Sequence, residues 1–235
     1  MQRVQHLRPG DFAERLNFCK WLNGSRQLHR YIMFTDEAQF NRDGVNNTHN
    51  SHVWADENPH ATVESNFQLR SSVNVWCAVL DDQLIGPFIL DGRITGEAYL
   101  RFLQEELPQL LEDVPLDKRS RMFFRHDGAP PHSSSGVTNF LNYRFPGRWM
   151  GRCGPHHWPT RSPDLSSQDY CVWGWMKELV YSVKVETRDA LLARISDAAD
   201  HIRNGELKLL SATNAVHNRA AACVAAGGGI LENQL

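Results

Sequence analysis

Three aspartates stand where chemistry could explain them as readily as folding. Asp36 closes the apolar run of "YIMFTDEAQF", and Asp127 follows "RMFFRH" just before Gly-Ala-Pro-Pro. Asp169 heads a helical stripe, with Val172, Trp173 and Met176 three, four and seven residues on, so its carboxylate shares the face expected to pack on a sheet. If the strands ending at Asp36 and Asp127 are neighbours, both carboxylates emerge at one sheet edge, where open α/β sheets bind ligands. Three clustered carboxylates repel one another, and hard divalent cations with oxygen ligands relieve that repulsion. Two such ions about 3.5 to 4 Å apart activate a nucleophile and stabilise the leaving oxygen of an in-line phosphoryl displacement. Taken singly, each aspartate is more readily a turn or N-cap residue. The paired Asp-Thr/Ser-Gly motifs of an aspartic protease are absent.

The elements that must position these residues are legible as patterns. A helix is expected over 11–23, with Asp11 as N-cap and Phe12, Leu16 and Cys19 on one face. A short buried strand then ends at Asp36. Residues 43–70 read as a polar loop with short edge strands. "SSVNVWCAVLDD" and "LIGPFILDG" form a hairpin. Thr95 caps a helix to about Leu111, in which Leu100, Leu103, Leu107 and Leu110 keep helical spacing. "RMFFRHD" is another strand, and 133–145 a helix after the Pro-Pro start. A Gly/Pro/Arg-rich loop over 144–165 leads to helices at 169–182, 187–203 and 206–226, and Gly-Gly-Gly stops the last. Strands come early and helices late, which points to one α/β domain with a mixed sheet flanked by helices.

The totals set limits. A 235-residue chain with 41% hydrophobic and 22% charged residues can bury a sizeable core. No apolar run reaches the roughly 18 residues of a membrane span, and "MQRVQHLRPG" lacks a signal peptide's apolar segment. Five scattered cysteines without a C-x-x-C pair argue against a disulfide framework or zinc ribbon. A formal charge of -2 gives no global case for nucleic-acid binding, so any such role needs a local patch. One exists: Arg144, Arg148, Arg152 and Arg161 interleave with Trp149, His156, His157 and Trp158, which suits phosphate contact and base stacking. The alternative is a solvated loop whose tryptophans plug into the core.

"FTDEAQF", "HDGAPPH" and "WPTRSPDLSSQDYCVWG", in this order, resemble the catalytic motifs of mariner-like DDE/DDD transposases, from about residue 10 to the C-terminus. The resemblance implies a ribonuclease H-like core over about 28–182, followed by C-terminal helices over about 187–227. It implies Mg²⁺, for which Mn²⁺ can substitute, held by a catalytic triad of Asp36, Asp127 and Asp169. It implies DNA as partner, a possible homodimer, no membrane and a nuclear location. The 41 residues between the last two aspartates (169 − 127 − 1) exceed the mariner spacing and imply a branch with an extended loop. His132 is expected to touch DNA, or else to be a surface turn residue, as is His126, and Glu37 is expected to be structural. Ser166, Ser167 and Gln168 replace a Pro-containing stretch, so a looser helix entry is expected. The family's N-terminal helix-turn-helix pair has no counterpart in these residues. The alternative to an enzyme is an inactive, transposase-derived binding domain.

Overall fold

Alternation with a period of two organises the longest strands. In the computed structural model, which describes residues 6–42 and 72–231, β1 (Ile32–Asn41), β2 (Ser72–Leu80) and β3 (Gln83–Leu90) form an antiparallel meander. The loop expected over 43–70 lies outside these residues. Val73, Val75, Cys77 and Val79 face one helical layer while Trp76, Ala78 and Leu80 face the other, so β2 is apolar on both sides. On the far side of β1, β4 (Phe123–Arg125), β5 (Trp149–Gly151) and β6 (His156–His157) pair in parallel, giving the order β3-β2-β1-β4-β5-β6.

Helices cover both faces. α1 (Pro9–Asn23) and α8 (Glu206–Ala225) pack on Ile32, Phe34, Met150 and Trp158. α2 (Gly96–Arg101), capped by Thr95 Oγ1 accepting from the Ala98 N–H at 3.2 Å, passes through a wide turn at Phe102–Glu106 into α3 (Leu107–Leu110). After the short α4 (Leu116–Arg121), α5 (Ser135–Arg144) joins α2 and α3 over Met33, Trp76, Phe124 and Trp149. α6 (Trp173–Val180) and α7 (Arg188–Arg203) bury the opposite face over Val75, Cys77 and Val79. The five cysteines are free thiols.

Three expectations are corrected. β1 does not end at Asp36 but runs on to Asn41, because β2 pairs with it from Phe34 through Asn41. The loop expected over 144–165 contains β5 and β6, strands of three and two residues, too short to show a period. On α1 the buried stripe is Asp11, Arg15, Phe18, Cys19 and Leu22, and Phe12 is 40% exposed. Asp11 lies inside the first turn rather than at the cap, accepting from the Arg8 N–H at 2.7 Å.

β5 also explains one glycine. A Cβ on Gly151 would overlap the ring of His126, the residue just past β4. His126 is buried and stacks on His132, with ring centroids 5.0 Å apart and planes 13° apart. Gly151→Ala is therefore expected to cost about 1 to 3 kcal/mol by overpacking. An unchanged urea midpoint would show that the histidine stack has room to move.

Candidate active site

Strand register assembles the first two acids. β1 pairs with β4 only as far as Phe34 opposite Arg125. Continuing that register brings Asp127 level with Asp36, and the period of two puts Phe34, Asp36, Arg125 and Asp127 on one face. Asp36 thus stands where the parallel pairing of β1 runs out. Asp169 arrives from the opposite side, in a wide turn at Gln168–Val172 that leads into α6. Such i→i+5 turns recur at functional sites. Asp36, Asp127 and Asp169 line one cleft of about 280 Å³ together with Arg125, Trp158, Thr160 and Ser162.

The entry to α6 is not loose. Ser166, Ser167 and Gln168 are fully buried, and Gln168 Nε2 donates to the Phe34 carbonyl while Ser167 Oγ donates to Gln168 Oε1 at 3.2 Å. The expected looseness is corrected: side-chain amide and hydroxyl bonds do the work of a stiff proline. One turn on, Trp173 Nε1 donates to Asp36 Oδ2 at 2.7 Å, so α6 grips the carboxylate of β1 directly.

The three carboxylates differ electrostatically. Burial, and then the negative charge of Asp169, pushes Asp36 up to about 7. Crowding by the surrounding protein also raises Asp169, although its side chain reaches solvent at the cleft mouth. Burial works to raise Asp127 too, but hydrogen bonds to His132 and from the Ala129 N–H outweigh it and hold the group at about 2. Both bonds fall on Asp127 Oδ1, at 2.6 and 2.9 Å. Oδ2 has no protein partner among the described residues.

His132 is the residue whose expected role changes most. It is 3% exposed, and its two ring nitrogens face carboxylates, Nδ1 toward Asp127 and Nε2 toward Glu37 Oε2 at 3.4 Å. Desolvation pulls its pKa down, and the two acids more than reverse this, raising it to about 9. No nitrogen is left to contact DNA. It bridges Asp127 and Glu37, the latter on the other face of β1, and is placed to orient the Asp127 carboxylate. No signal in the sequence tied Glu37 to His132; only the five-residue step from Asp127 to His132, closed by the turn at Pro130–Ser133, hinted at their meeting.

The basic patch divides. Arg152 is exposed on a depression with Arg8, Glu14, Gly128 and His157, which adjoins the cleft. Arg161 turns back to pair with Asp11 through two nitrogens, and Thr160 Oγ1 donates to the same carboxylate. Arg148 Nη1 donates to the Met122 carbonyl at 3.0 Å, and Arg144 is exposed at the end of α5. Trp149 and Trp158 are buried in the core, so they offer no face to a base.

A hard divalent ion suits this donor chemistry: three carboxylates share a cleft, two are raised by burial and mutual repulsion, and one presents a free oxygen. As they stand, however, no three His, Cys, Asp or Glu side chains among the described residues approach closely enough to hold an ion.

A family model described as DDE superfamily endonuclease matches residues 31–192, which include all three aspartates. The chain belongs to this family. No curated protein matches it. Among solved structures, this DDE superfamily chain is similar to a pre-cleavage Mos1 transpososome, with a TM-score of 0.75 at 17% identity over 99% of this chain and 67% of that one. It is also similar to the catalytic domain of Mos1 mariner transposase, with a TM-score of 0.73 at 16% identity over 98% and 100%. The Mos1 catalytic domain with raltegravir and Mn matches at 0.73 and 17% over 97% and 100%. The chain thus spans about two thirds of the longer Mos1 chains and the whole of the catalytic-domain ones. At these identities the likeness speaks to fold, and the fold is ribonuclease H-like, as the motifs imply. Among the described residues no helix is long and apolar enough to cross a membrane.

Proposed function

We propose that this DDE superfamily endonuclease cuts and rejoins DNA strands in transposition, with Asp36, Asp127 and Asp169 as its metal-binding acids. The observation that carries the reading is that three acids from β1, the end of β4 and the entry to α6 line one cleft inside the family-matched region. Asp36, Asp127 and Asp169 would hold Mg²⁺, or Mn²⁺ in its place, which would supply charge to activate the attacking oxygen and stabilise the leaving one. The protein's part is positioning. Trp173 Nε1 fixes the Asp36 carboxylate, His132 and the Ala129 N–H occupy Asp127 Oδ1 and present Oδ2, and the wide turn sets Asp169 at the mouth. The similar structures support the metal, since Mos1 catalytic-domain structures contain Mn and Mg, and the substrate, since a Mos1 complex holds a transposon end. A nuclear location belongs to the same proposal, because it follows from DNA as the substrate.

The depression carrying Arg8, Arg152 and His157 continues the cleft and suits a phosphate backbone, whose contacts weaken as salt rises. The purified chain should convert supercoiled plasmid to nicked and linear forms with Mg²⁺ or Mn²⁺, and EDTA should stop it. Folded protein that binds DNA yet cuts nothing with either ion would instead support the inactive binding domain.

A further inference from the structure

Arg125 is the unexplained charge in this cleft. It is 3% exposed, on β4 two residues before Asp127 and directly opposite Phe34, two residues before Asp36. Its guanidinium is held in place: Nη1 donates to the Thr35 carbonyl at 2.8 Å, Thr35 Oγ1 returns a bond to the Arg125 carbonyl at 2.7 Å, and the planar group lies 3.9 Å over the Trp158 ring. Nε is buried and finds no acceptor, and among the described residues the guanidinium forms no ion pair. A buried guanidinium with unused donors is costly unless opposite charge stands nearby. That charge is the three carboxylates lining the same cleft, none in contact with it.

We infer that Arg125 is a permanent counter-charge built into the cleft, which partly neutralises Asp36, Asp127 and Asp169 in the absence of metal and lowers the site's affinity for divalent cations. The inference rests on the metal-site reading above. Its physics is Coulombic: a fixed +1 charge in the same cleft attracts the carboxylates, which eases their repulsion, and it repels an entering 2+ ion, whose interaction with it is twice that of a proton. The competing effect, that Arg125 favours ionised carboxylates and so frees ligands for metal, acts through singly charged protons and is the smaller.

The test is Mn²⁺ binding to the whole chain, read by calorimetry and by the Mn²⁺-induced rise in unfolding temperature. Arg125→Met should bind Mn²⁺ about tenfold more tightly or better, with a larger thermal shift, and Arg125→Lys, which keeps the charge, should stay near the parent. Should the Met variant not fold, Arg125→Gln removes the charge while keeping a donor for the Thr35 carbonyl, and the same gain is expected. A folded neutral variant that binds Mn²⁺ no better than the parent overturns the inference. Asp36→Asn separates the two readings. If it binds Mn²⁺ as well as the parent, the metal site itself is misassigned; if it loses Mn²⁺ while Arg125→Met gains nothing, only the role of Arg125 fails.

Discussion

Asp36→Asn is expected to abolish Mg²⁺- and Mn²⁺-dependent strand cleavage while leaving the protein as stable as before, or more so. The carboxylate lies on the strand that runs through the sheet centre, beside the point where parallel pairing ends, and Trp173 Nε1 holds it at 2.7 Å. An amide oxygen can accept the same indole hydrogen bond, so the geometry survives the substitution. What disappears is the negative ligand, because a neutral amide binds a hard cation poorly. Losing the charge stabilisation of a bound metal forfeits several kcal/mol in the transition state, and about 4 kcal/mol is already close to a thousandfold in rate. Stability goes the other way. Burial and Asp169 raise the Asp36 pKa to about 7, so the folded state prefers the protonated acid. Ionisation therefore weakens the fold once pH rises above the unfolded value, and Asn removes that penalty at neutral and alkaline pH. Plasmid nicking and thermal unfolding on the same preparation check both halves. Cleavage at the parent rate would remove Asp36 from the site.

Asp164→Ala is expected to cost about 3 to 5 kcal/mol, the loss typical of stripping one partner from a buried ion pair. An aspartate placed after a proline and just before a helix would ordinarily be taken for a cap, whose loss costs about 0.5 to 2 kcal/mol. In the fold Asp164 caps nothing: its two oxygens take Arg15 Nη1 and Nη2 at 2.7 and 2.6 Å, and both side chains are buried. Arg15 also donates to Ser162 Oγ at 2.8 Å and to the carbonyls of Gly228 and Gly229 at 2.8 and 3.0 Å. One guanidinium thus ties α1, the turn at Pro163–Leu165 and the glycines after α8. Gly228 is held to φ +89 with the backbone of Phe12 against it, a position without room for a side chain. Removing Asp164 leaves the Arg15 charge buried and unpaired. Because Ser162 and Pro163 also line the cleft, cleavage should fall too, though less than with Asp36→Asn. A urea-derived loss below about 1 kcal/mol would show that the pair is solvated or replaceable.

Several elements were legible because their causes are local. The hairpin of β2 and β3 follows from two β-rich runs and a short polar turn. The helix after Thr95 follows from a side-chain cap three residues upstream of the N–H it accepts and from apolar steps of three and four, and the helix over 187–203 from apolar steps alone. The sequence motifs also picked out the three acids that line the cleft. β5 and β6 were invisible because they are too short for a pattern and are held as strands by β4. Arg125 could have been noticed from its two-residue step to Asp127, which puts both on one face of a strand.

What the chain determined by itself was the set of elements, through interactions spanning about four residues, and the candidate acids, through motif identity. Tertiary structure alone decided the partners of the charged side chains. Arg15 meets Asp164 across 149 positions, Trp173 meets Asp36 across 137, and Thr35 and Arg125 exchange hydrogen bonds across 90. Nothing local selects such pairs, because a buried charge takes whichever partner packing brings within reach. His132 shows the difference: as a residue in a Pro-rich turn it suited DNA, and the closing of that turn against Glu37 and Asp127 made it a buried support for a carboxylate.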